Sequence, residues 1–565
     1  MNFLPGKRVV QLFYAFLILF LLLMIRLSVI QVLEGGYYAA KAVQRETLTV
    51  SLEEFPRGQI LDRHLRPLTQ TVQSNRVIVF PQIITKSDLL AKELAAILKI
   101  DKNKLLPVLK RSPCVLPYHL SSGQAKKVRQ HNWPGVLVLP VSFRYGPEPL
   151  AAQVVGHLGK IHSYREISSL SSKDKKAYGA DDWVGRTGLE LYYEHELRAT
   201  GLQGYARLFM DARTEWLRGL GTEVNTRHLD SGRQNLVTTI DADIQRIAER
   251  VMDARVKKGA VVVMDVSTGD ILAMAGRPTY NPHPREIEKY LKGDPEAFLD
   301  QCTMLFPPGS LFKVVIAAAA LAEGIVSLED TFHCRGEKDE PVRCWYAPGH
   351  GNINFAKAFA QSCNPVFVKV ALELGAEKLI AYAQYFGFDN QKVTGYPVPR
   401  DYRQNLNLIS APHSLANSSL GQGPVLATPV QVTAMMNTVV NDGVYRQPRL
   451  VRELRTEEGV VTRFFPGERG SRVIPSPVAG QLRQLLASVT TEGVGRGAYL
   501  EDYGSAGKTG SAQAGGTGER VNAWFCGYAP VDQPRYVVTV LVREGISGGQ
   551  TAAPVFKEIM SEILN

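Results

Sequence analysis

The sequence of 565 residues predicts an α+β protein with a single N-terminal transmembrane helix. The first observation is an uncharged apolar run, Val9 to Ile25, near the start of the chain. The second is strand-like sequence in 259–276 and 522–543, with helix-like sequence between them in 311–388. Strands that are distant in sequence and enclose helices are typical of an α+β domain whose sheet joins its two termini.

The N-terminal run has the length of a tilted membrane span. It follows Lys7 and Arg8, and its apolar character continues past Arg26 to Leu33. Arg26 can extend to the interface, and basic residues before a span favour a cytoplasmic N-terminus. We therefore predict a membrane anchor with the rest of the chain exported. A cleaved signal peptide is the alternative.

Changes in composition divide the chain into three predicted parts. Residues 1–34 form the cytoplasmic tip and anchor, 35–235 a mixed α/β segment, and 236–565 the α+β domain. The polar, breaker-rich segment Gly221–Asn235 is predicted to be the linker between the last two parts. An amphipathic helix is predicted in Ala553–Leu564.

The net charge narrows the choice of partners. A formal charge of +11 at pH 7 suits membrane headgroups or polyanionic wall polymers. Nucleic acid is the competing interpretation, but the sequence contains no basic stripe with interleaved aromatic residues. We therefore predict that the protein does not bind nucleic acid.

A serine and a lysine three residues apart open an apolar segment. Ser310 follows Pro-Pro-Gly, and Lys313 precedes Ala317–Ala322, a run too apolar for a surface helix. Residues i and i+3 share a helix face, and burial lowers the pKa of a lysine, so that a neutral Lys313 can deprotonate Ser310. The alternative is a helix-capping serine beside a lysine that extends to solvent.

A second short motif, Ser362-Cys363-Asn364, follows further along the chain. Residues two apart do not share a helix face, but they can converge in a loop. Ser362 could then transfer a proton while Asn364 positions a carbonyl group or Lys313. Alone the motif is weak evidence, because Asn-Pro after a helix is commonly a turn.

The third motif is a glycine-rich stretch that contains Lys508, Thr509, Gly510 and Ser511. A phosphate-binding P-loop needs glycine where the chain has Asp502, so that interpretation fails. As an edge strand, the stretch could hold a carboxylate with Lys508, Thr509 and Ser511. Gly510 would let substrate approach, and the amides of Ser511 and Ser310 could face an oxyanion.

In this order, the three motifs make the sequence resemble the penicillin-recognising serine enzymes. The segments 57–63 (Arg-Gly-x-Ile-x-Asp-Arg) and 185–190 (Gly-x-x-Gly-x-Glu) are similar to the pedestal motifs of class B penicillin-binding proteins. Gly421–Gln431 resembles the stretch before the last motif of that family. The cysteine- and histidine-containing run 334–364 is closest in style to the elongation-type penicillin-binding protein 2 branch.

The resemblance covers essentially the whole chain and implies its architecture. We expect an elongated pedestal of the dimerisation type in 35–235, and then a transpeptidase domain in 236–565 with the antiparallel sheet and flanking helices of serine β-lactamases. The chain departs from the family at His64-Leu65, where Asn-Gly is usual, and at Leu311 and Ser511, where threonine is commoner. These departures remove no catalytic group.

The resemblance implies a DD-transpeptidase that cross-links peptidoglycan stem peptides ending in D-Ala-D-Ala and is acylated by β-lactams. The catalytic residues implied are Ser310, Lys313, Ser362, Asn364 and Lys508, and the substrate-binding residues are Thr509, Gly510 and Ser511. No cofactor is implied for catalysis. The expected location is the bacterial cell membrane, with a single-pass anchor and an extracytoplasmic catalytic domain. The expected partner is a multispanning glycan polymerase of the shape, elongation, division and sporulation type.

Other functions share these motifs. A class A β-lactamase needs a Glu-x-x-x-Asn element, and none lies between Ser362 and Lys508. A β-lactam sensor is less expected, because only eight residues precede the apolar run. A silent wall-assembly scaffold is less expected, because every catalytic side chain is present. A bifunctional glycosyltransferase is not expected, because no such domain fits before the pedestal.

A candidate metal site overlaps the second motif. Its members are Cys334, Cys344, His350 and Cys363, in the pattern C-x9-C-x5-H-x12-C. Three thiolates and an imidazole are a closed donor set typical of structural zinc, which would fix the loop of Ser362. A disulfide between Cys334 and Cys344 and unpaired buried thiols are the alternatives.

Overall fold

The structure is a computed structural model, and it describes most of the chain. The described residues are 6–33, 47–110, 112–173, 178–199, 201, 204–211, 216–217, 221–226, 232–398, 404–513 and 521–565. Their contacts define two compact units. The first comprises 1–54, 72–143 and 201–229, and the second comprises 55–71, 144–200 and 230–565.

The N-terminal apolar run is helical, as predicted. An α-helix spans Gly6–Ser28, and a π-helical turn, Val29–Leu33, continues it. Within it, Val10–Gln31 is long and apolar enough to cross a membrane by length and composition, and none of it is buried inside the protein. This finding agrees with an anchor, but a signal sequence would have the same properties.

The first unit also contains two three-stranded antiparallel sheets and several helices. The strand orders are Thr47–Ser51, Tyr205–Phe209, Thr222–Asn225 and Cys114–Val115, Val72–Val79, Val136–Phe143. The α-helices are Ser87–Leu98, Lys102–Leu105 and Ser122–His131.

The prediction that Gly221–Asn235 is a linker is wrong at its start, because strand Thr222–Asn225 pairs there with Tyr205–Phe209. Residues 227–231 of that segment lie outside the described residues.

The second unit is built on a five-stranded antiparallel sheet. Its strand order is Ile271–Arg277, Gly259–Asp265, Tyr536–Gly545, Val521–Ala529, Ala506–Gln513. Gly259 pairs with Val542, so the sheet joins the two ends of this part of the chain as predicted. The strand Ala506–Gln513, which carries the third motif, lies at the edge of the sheet, also as predicted.

The two faces of this sheet contact different sets of helices. On strand Gly259–Asp265, alternate residues such as Val261 and Val263 pack with helices Ala242–Arg255 and Ala553–Leu564. The intervening Val262 packs with the opposite set of buried residues. The helices that contribute to that set include Lys313–Ala322, Phe355–Ala360, Asn364–Leu374, Ala376–Tyr385, Pro429–Val440 and Ser476–Thr491. This layered α+β architecture confirms the predicted fold class.

Smaller elements complete the second unit. A four-stranded sheet has the strand order Val461–Phe464, Val451–Arg455, Asn235–Thr238, Ile60–Leu61. There are also three two-stranded sheets among the described residues, namely Leu158–Lys160 with Trp183–Gly185, Thr331–Cys334 with Gly351–Asn354, and Val444–Tyr445 with Ser471–Arg472. The remaining α-helices are Ala152–Val155, Tyr164–Lys173, Gly188–Tyr192, Glu194–Leu197, Pro284–Gly293 and Ser414–Ser418.

The pedestal motifs of the sequence meet in a buried ion cluster within the second unit. Glu190 accepts hydrogen bonds from Arg57 at 3.0 Å, Arg144 at 2.6 Å and Tyr145 at 3.1 Å. Although burial raises the pKa of Glu190, the two guanidinium groups hold it below its usual value. The contacts also group residues 55–71 and 144–200 with 230–565 in the second unit. The boundary between the two compact units does not fall between residues 235 and 236. The division of the chain into 1–34, 35–235 and 236–565 therefore stays a prediction.

Candidate active site

Ser310 lies in a short 3₁₀ turn, Gly309–Phe312, directly before helix Lys313–Ala322. Gly309 has a φ of +59°, which favours glycine, and its amide donates to the carbonyl oxygen of Gly421 at 3.0 Å. The indole Nε1 of Trp524 donates to the carbonyl oxygen of Pro307 at 3.1 Å. These bonds fix the turn, and Ser310 is not the helix N-cap that the alternative interpretation required.

Lys313 is fully buried, whereas its place at the start of the apolar run indicated only partial burial. Its Nζ donates to the carbonyl oxygen of Ser362 at 2.8 Å and to Asn364 Oδ1 at 2.7 Å, and lies 3.3 Å from Ser362 Oγ. None of these bonds goes to Ser310. Burial lowers the pKa of Lys313 to about 7, although the nearby thiols of Cys363 and Cys344 act in the opposite direction. The amine is therefore neutral in a large fraction of molecules near neutral pH.

The second motif straddles the start of a helix rather than lying wholly in a loop. Ser362 has a φ of +52°, Cys363 is the N-cap, and Asn364 is the first residue of helix Asn364–Leu374. This left-handed turn directs the Ser362 hydroxyl toward both lysines of the site. Lys508 Nζ donates to that hydroxyl at 2.9 Å, so Ser362 links Lys313 to Lys508.

Lys508 lies on the edge strand and is fully buried. Its Nζ also donates to the carbonyl oxygen of Thr509 at 3.3 Å. Burial, and the charge of Lys313 beside it, lower the pKa of Lys508 well below its usual value. Two buried amines in one hydrogen-bond chain can exchange a proton through the hydroxyl of Ser362.

The edge strand lies against the turn of Ser310. A Cβ at Gly510 would lie 2.6 Å from the carbonyl oxygen of Pro308, so only glycine permits this approach. On the same strand, Ser511 Oγ accepts a hydrogen bond from the amide of Gly548 at 3.0 Å. The strand and the turn are therefore held at a fixed separation.

A cavity of about 550 Å³ opens above these groups. Of the eight predicted site residues, it is lined by Ser310, Ser362, Asn364, Thr509 and Ser511. Lys313 and Lys508 lie beneath it, and Gly510 packs on the turn. The lining residues that sequence analysis did not identify as site residues include Trp345, Leu420, Gln422, Arg496 and Gln550. Of these, Gln422 lies in Gly421–Gln431, the segment that resembles the family stretch before the last motif, whereas Arg496 lies in no motif that the sequence analysis identified.

The candidate metal residues come together beside this cavity. Their ligand atoms all lie within 4.8 Å of one another, and they are Cys334, Cys344, His350 and Cys363. The Nδ1 atom of His350 is 3.5 Å from the sulfur atoms of both Cys334 and Cys344. All six cysteines are free thiols, so the structure contains no disulfide between Cys334 and Cys344. A hydrogen bond from Cys363 lowers the pKa of the Cys344 thiol, which favours a thiolate.

Two family matches cover most of the chain. Residues 259–561 match the family described as "Penicillin binding protein transpeptidase domain". Residues 53–228 match the family described as "Penicillin-binding Protein dimerisation domain". The catalytic motifs and the pedestal motifs fall inside the two matches, respectively.

Curated relatives and a solved structure agree with these matches. The chain is 29% identical to Stage V sporulation protein D of Bacillus subtilis, over 97% of this chain and 84% of the relative. It is 26% identical to Peptidoglycan D,D-transpeptidase MrdA of Salmonella typhimurium, over 99% of this chain and 96% of the relative. A chain from the structure described as "Structural coordination of polymerization and crosslinking by a peptidoglycan synthase complex" is 24% identical. It has a TM-score of 0.71 over 99% of this chain and 98% of that one, and it supports the fold.

The transpeptidase match, the dimerisation match and the serine-lysine site agree on one class of enzyme. The relatives named Peptidoglycan D,D-transpeptidase MrdA match 90–99% of this chain. The chain belongs to the penicillin-binding protein transpeptidases, as a class B member of the penicillin-binding protein 2 type that cross-links peptidoglycan during cell-wall synthesis.

Proposed function

We propose that Ser310 is the nucleophile that takes the acyl group of a D-Ala-D-Ala stem peptide and passes it to an amine of a neighbouring stem. The observation that carries this proposal is the hydrogen-bond chain beneath the cavity, in which Lys313 and Lys508 both contact the hydroxyl of Ser362. Ser310 lines the same cavity one helical turn before Lys313. No cofactor takes part in this chemistry.

Lys313 is the base for acylation. Its pKa of about 7 leaves much of the amine neutral at neutral pH. The neutral Nζ takes the proton of Ser310 as Oγ attacks the carbonyl carbon of the penultimate D-Ala. The backbone amides of Ser310 and Ser511 donate hydrogen bonds to the oxyanion that forms, and one such donor contributes about 3 kcal/mol.

Ser362 completes the transfer. When the C–N bond of the tetrahedral intermediate breaks, the nitrogen of the leaving D-Ala needs a proton. Ser362 Oγ donates it and is reprotonated by the adjacent lysine amines, while Asn364 orients Lys313. The hydroxyls of Thr509 and Ser511 bind the terminal carboxylate, and the acceptor amine then attacks the acyl-enzyme by the reverse sequence.

The test is intact mass after benzylpenicillin, followed over hours, on the full-length protein in detergent. A lasting one-to-one adduct is expected for the wild type and for Ser410→Ala, which removes an exposed serine outside the cavity. Ser310→Ala should form no adduct. An adduct that Ser310→Ala retains would refute the assignment, and a transient adduct with rapid drug turnover would indicate a β-lactamase.

The N-terminal helix supports a location in the membrane. We infer that residues 1–34 are the cytoplasmic tip and anchor, that 35–235 form the pedestal, and that 236–565 work outside the bacterial membrane. Lys7 and Arg8 before the span support a cytoplasmic N-terminus. Alkaline phosphatase fused after Asn565 should be active, and the same fusion before Met1 inactive. The reverse would contradict this orientation.

The expected partner is a multispanning glycan polymerase. Neither matched domain is a glycan polymerase, and cross-linking needs newly made glycan strands. Reconstitution of the full-length protein with such a polymerase and lipid-linked precursor should give cross-linked product. Product that remains uncross-linked with the wild type would contradict the pairing.

We also propose that the Cys334, Cys344, His350 and Cys363 cluster holds one structural zinc ion. A tetrahedral zinc with Zn–S near 2.3 Å and Zn–N near 2.0 Å separates sulfur from nitrogen by about 3.5 Å. The two Sγ–Nδ1 separations in the structure are both 3.5 Å. Metal analysis should find one zinc per chain, retained in Cys114→Ser and lost in Cys344→Ser. A metal-free wild type purified without chelators would overturn this proposal.

A further inference from the structure

Arg496 is the one formally charged side chain among the described residues that line the catalytic cavity. Its side chain is exposed, and among the described residues it has no hydrogen-bond or ion-pair partner. By contrast, some exposed arginines of this protein, such as Arg250 and Arg255, pair with a nearby glutamate. The guanidinium of Arg496 is therefore available to a ligand in the cavity.

The backbone that carries Arg496 is firmly held. Its carbonyl oxygen accepts the amide of Tyr499 at 3.1 Å, and the amide of Gly495 donates to the carbonyl oxygen of Val489 at 3.0 Å. The amide of Val494 donates to the carbonyl oxygen of Ala360 at 3.1 Å. These bonds hold the backbone from which the side chain of Arg496 reaches into the cavity.

Close contacts put this segment on the side of the cavity that carries Thr509. A Cβ at Gly497 would lie 3.0 Å from the carbonyl oxygen of Gly549. A Cβ at Gly549 would in turn lie 2.4 Å from the carbonyl oxygen of Val494 and 3.9 Å from Thr509 Cγ2. Arg496 thus borders the wall on which the substrate carboxylate is expected.

That wall needs a positive charge that Lys508 does not supply at the surface. Lys508 is fully buried, lies outside the cavity lining, and uses its Nζ for Ser362 and the Thr509 carbonyl. The hydroxyls of Thr509 and Ser511 are neutral. A carboxylate bound by hydroxyls alone lacks a counter-charge, and a guanidinium can supply one through two parallel hydrogen bonds.

We propose that Arg496 is a substrate-binding residue that pairs with the carboxylate of the terminal D-Ala, and with the corresponding carboxylate of β-lactams. This proposal rests on the proposed roles of Ser310, Thr509 and Ser511. Arg496 forms no bond with the reacting atoms. It holds the end of the substrate so that the scissile carbonyl stays over Ser310.

The test compares an acid with its ester. Second-order acylation rates are measured by intact mass for benzylpenicillin and for its methyl ester, which lacks the carboxylate. Arg496→Gln should slow acylation by the acid about tenfold, and acylation by the ester less than about twofold. Arg496→Lys should fall between the wild type and Arg496→Gln for the acid. Lys557→Gln, on the exposed face of the C-terminal helix, controls for net charge and should match the wild type.

Other results of this comparison would contradict the pairing of Arg496 with the substrate carboxylate. Equal slowing of acid and ester, or no slowing of either, would overturn the pairing. A third drug, carbenicillin, carries an additional carboxylate on its side chain. If Arg496→Gln slows carbenicillin far more than benzylpenicillin, Arg496 reads the acyl side of the substrate and the proposal is wrong. Failure of the wild type itself to be acylated would refute the proposed role of Ser310 instead.

Discussion

Replacing Gly510 with alanine tests whether the edge strand must lie against the turn of Ser310. The added Cβ would lie 2.6 Å from the carbonyl oxygen of Pro308 and 3.1 Å from the Cβ of Trp524. The first atom belongs to the backbone of the turn, so relief requires that the strand or the turn moves. Overpacking of this kind costs about 1–3 kcal/mol of unfolding free energy.

The expected loss of activity exceeds the loss of stability. A small shift of the strand separates the amide of Ser511 from the turn of Ser310, and the two amides are proposed to bind one oxyanion. Loss of one donor corresponds to about a hundredfold in rate. The acylation rate of Gly510→Ala with benzylpenicillin should therefore fall at least about tenfold, measured by intact mass beside thermal unfolding of the same preparation.

Gly480→Ala is the matched control. Gly480 lies in helix Ser476–Thr491, and the nearest atom to an added Cβ is an Arg483 nitrogen at 4.0 Å. Alanine should stabilise this helix by up to about 1 kcal/mol and leave acylation unchanged. If Gly510→Ala is acylated at the wild-type rate and unfolds no earlier than Gly480→Ala, the packing argument is refuted.

Three further predictions concern the proton, the metal and the ion cluster. Acylation should rise from about pH 6 to pH 8 with a midpoint near 7, because Lys313 must lose its proton to act as the base; a flat profile would contradict that role. A zinc chelator should slow acylation and lower the unfolding temperature of the wild type, and should leave Cys344→Ser unaffected; equal effects on both proteins would argue against the metal. Glu190→Gln should lower the unfolding free energy by about 3 kcal/mol, because Arg144 loses a carboxylate oxygen 2.6 Å from its Nε, whereas the exposed Glu288→Gln should leave unfolding unchanged.

The sequence predicted the elements whose signal is local. The strands in 259–276 and the helix Ala553–Leu564 are present within a residue or two of the predicted bounds. A continuous apolar run indicates a strand buried on both faces, and a period of 3.6 indicates an amphipathic helix, so both can be recognised without knowledge of the packing partners. The burial of Lys313 was predictable for the same reason, because the run that follows it is apolar on every face.

Features that depend on distant residues were not predictable in this way. The ion cluster joins Arg57 to Glu190, 133 positions apart, and it therefore holds together two distant segments of the predicted pedestal. Arg496 is an ordinary arginine in sequence, and its role depends on the approach of Gly549 and Thr509 from other elements. The strand Thr222–Asn225 was hidden by its polar composition, since a short strand can be stabilised by its partner alone.

The proposed metal site adjoins the hydrogen-bond chain of Lys313, Ser362 and Lys508 at Ser362. Its left-handed backbone is costly for a residue other than glycine, and it is held by bonds from its amide to the Phe359 carbonyl at 3.0 Å and from the Cys363 amide to the Ala358 carbonyl at 2.8 Å. The Cys363 sulfur belongs to the thiol cluster, and the Ser362 hydroxyl contacts the amines of Lys313 and Lys508. Only one peptide bond separates the cluster from Ser362, so we expect a change in the cluster to shift the hydroxyl that is proposed to transfer the proton.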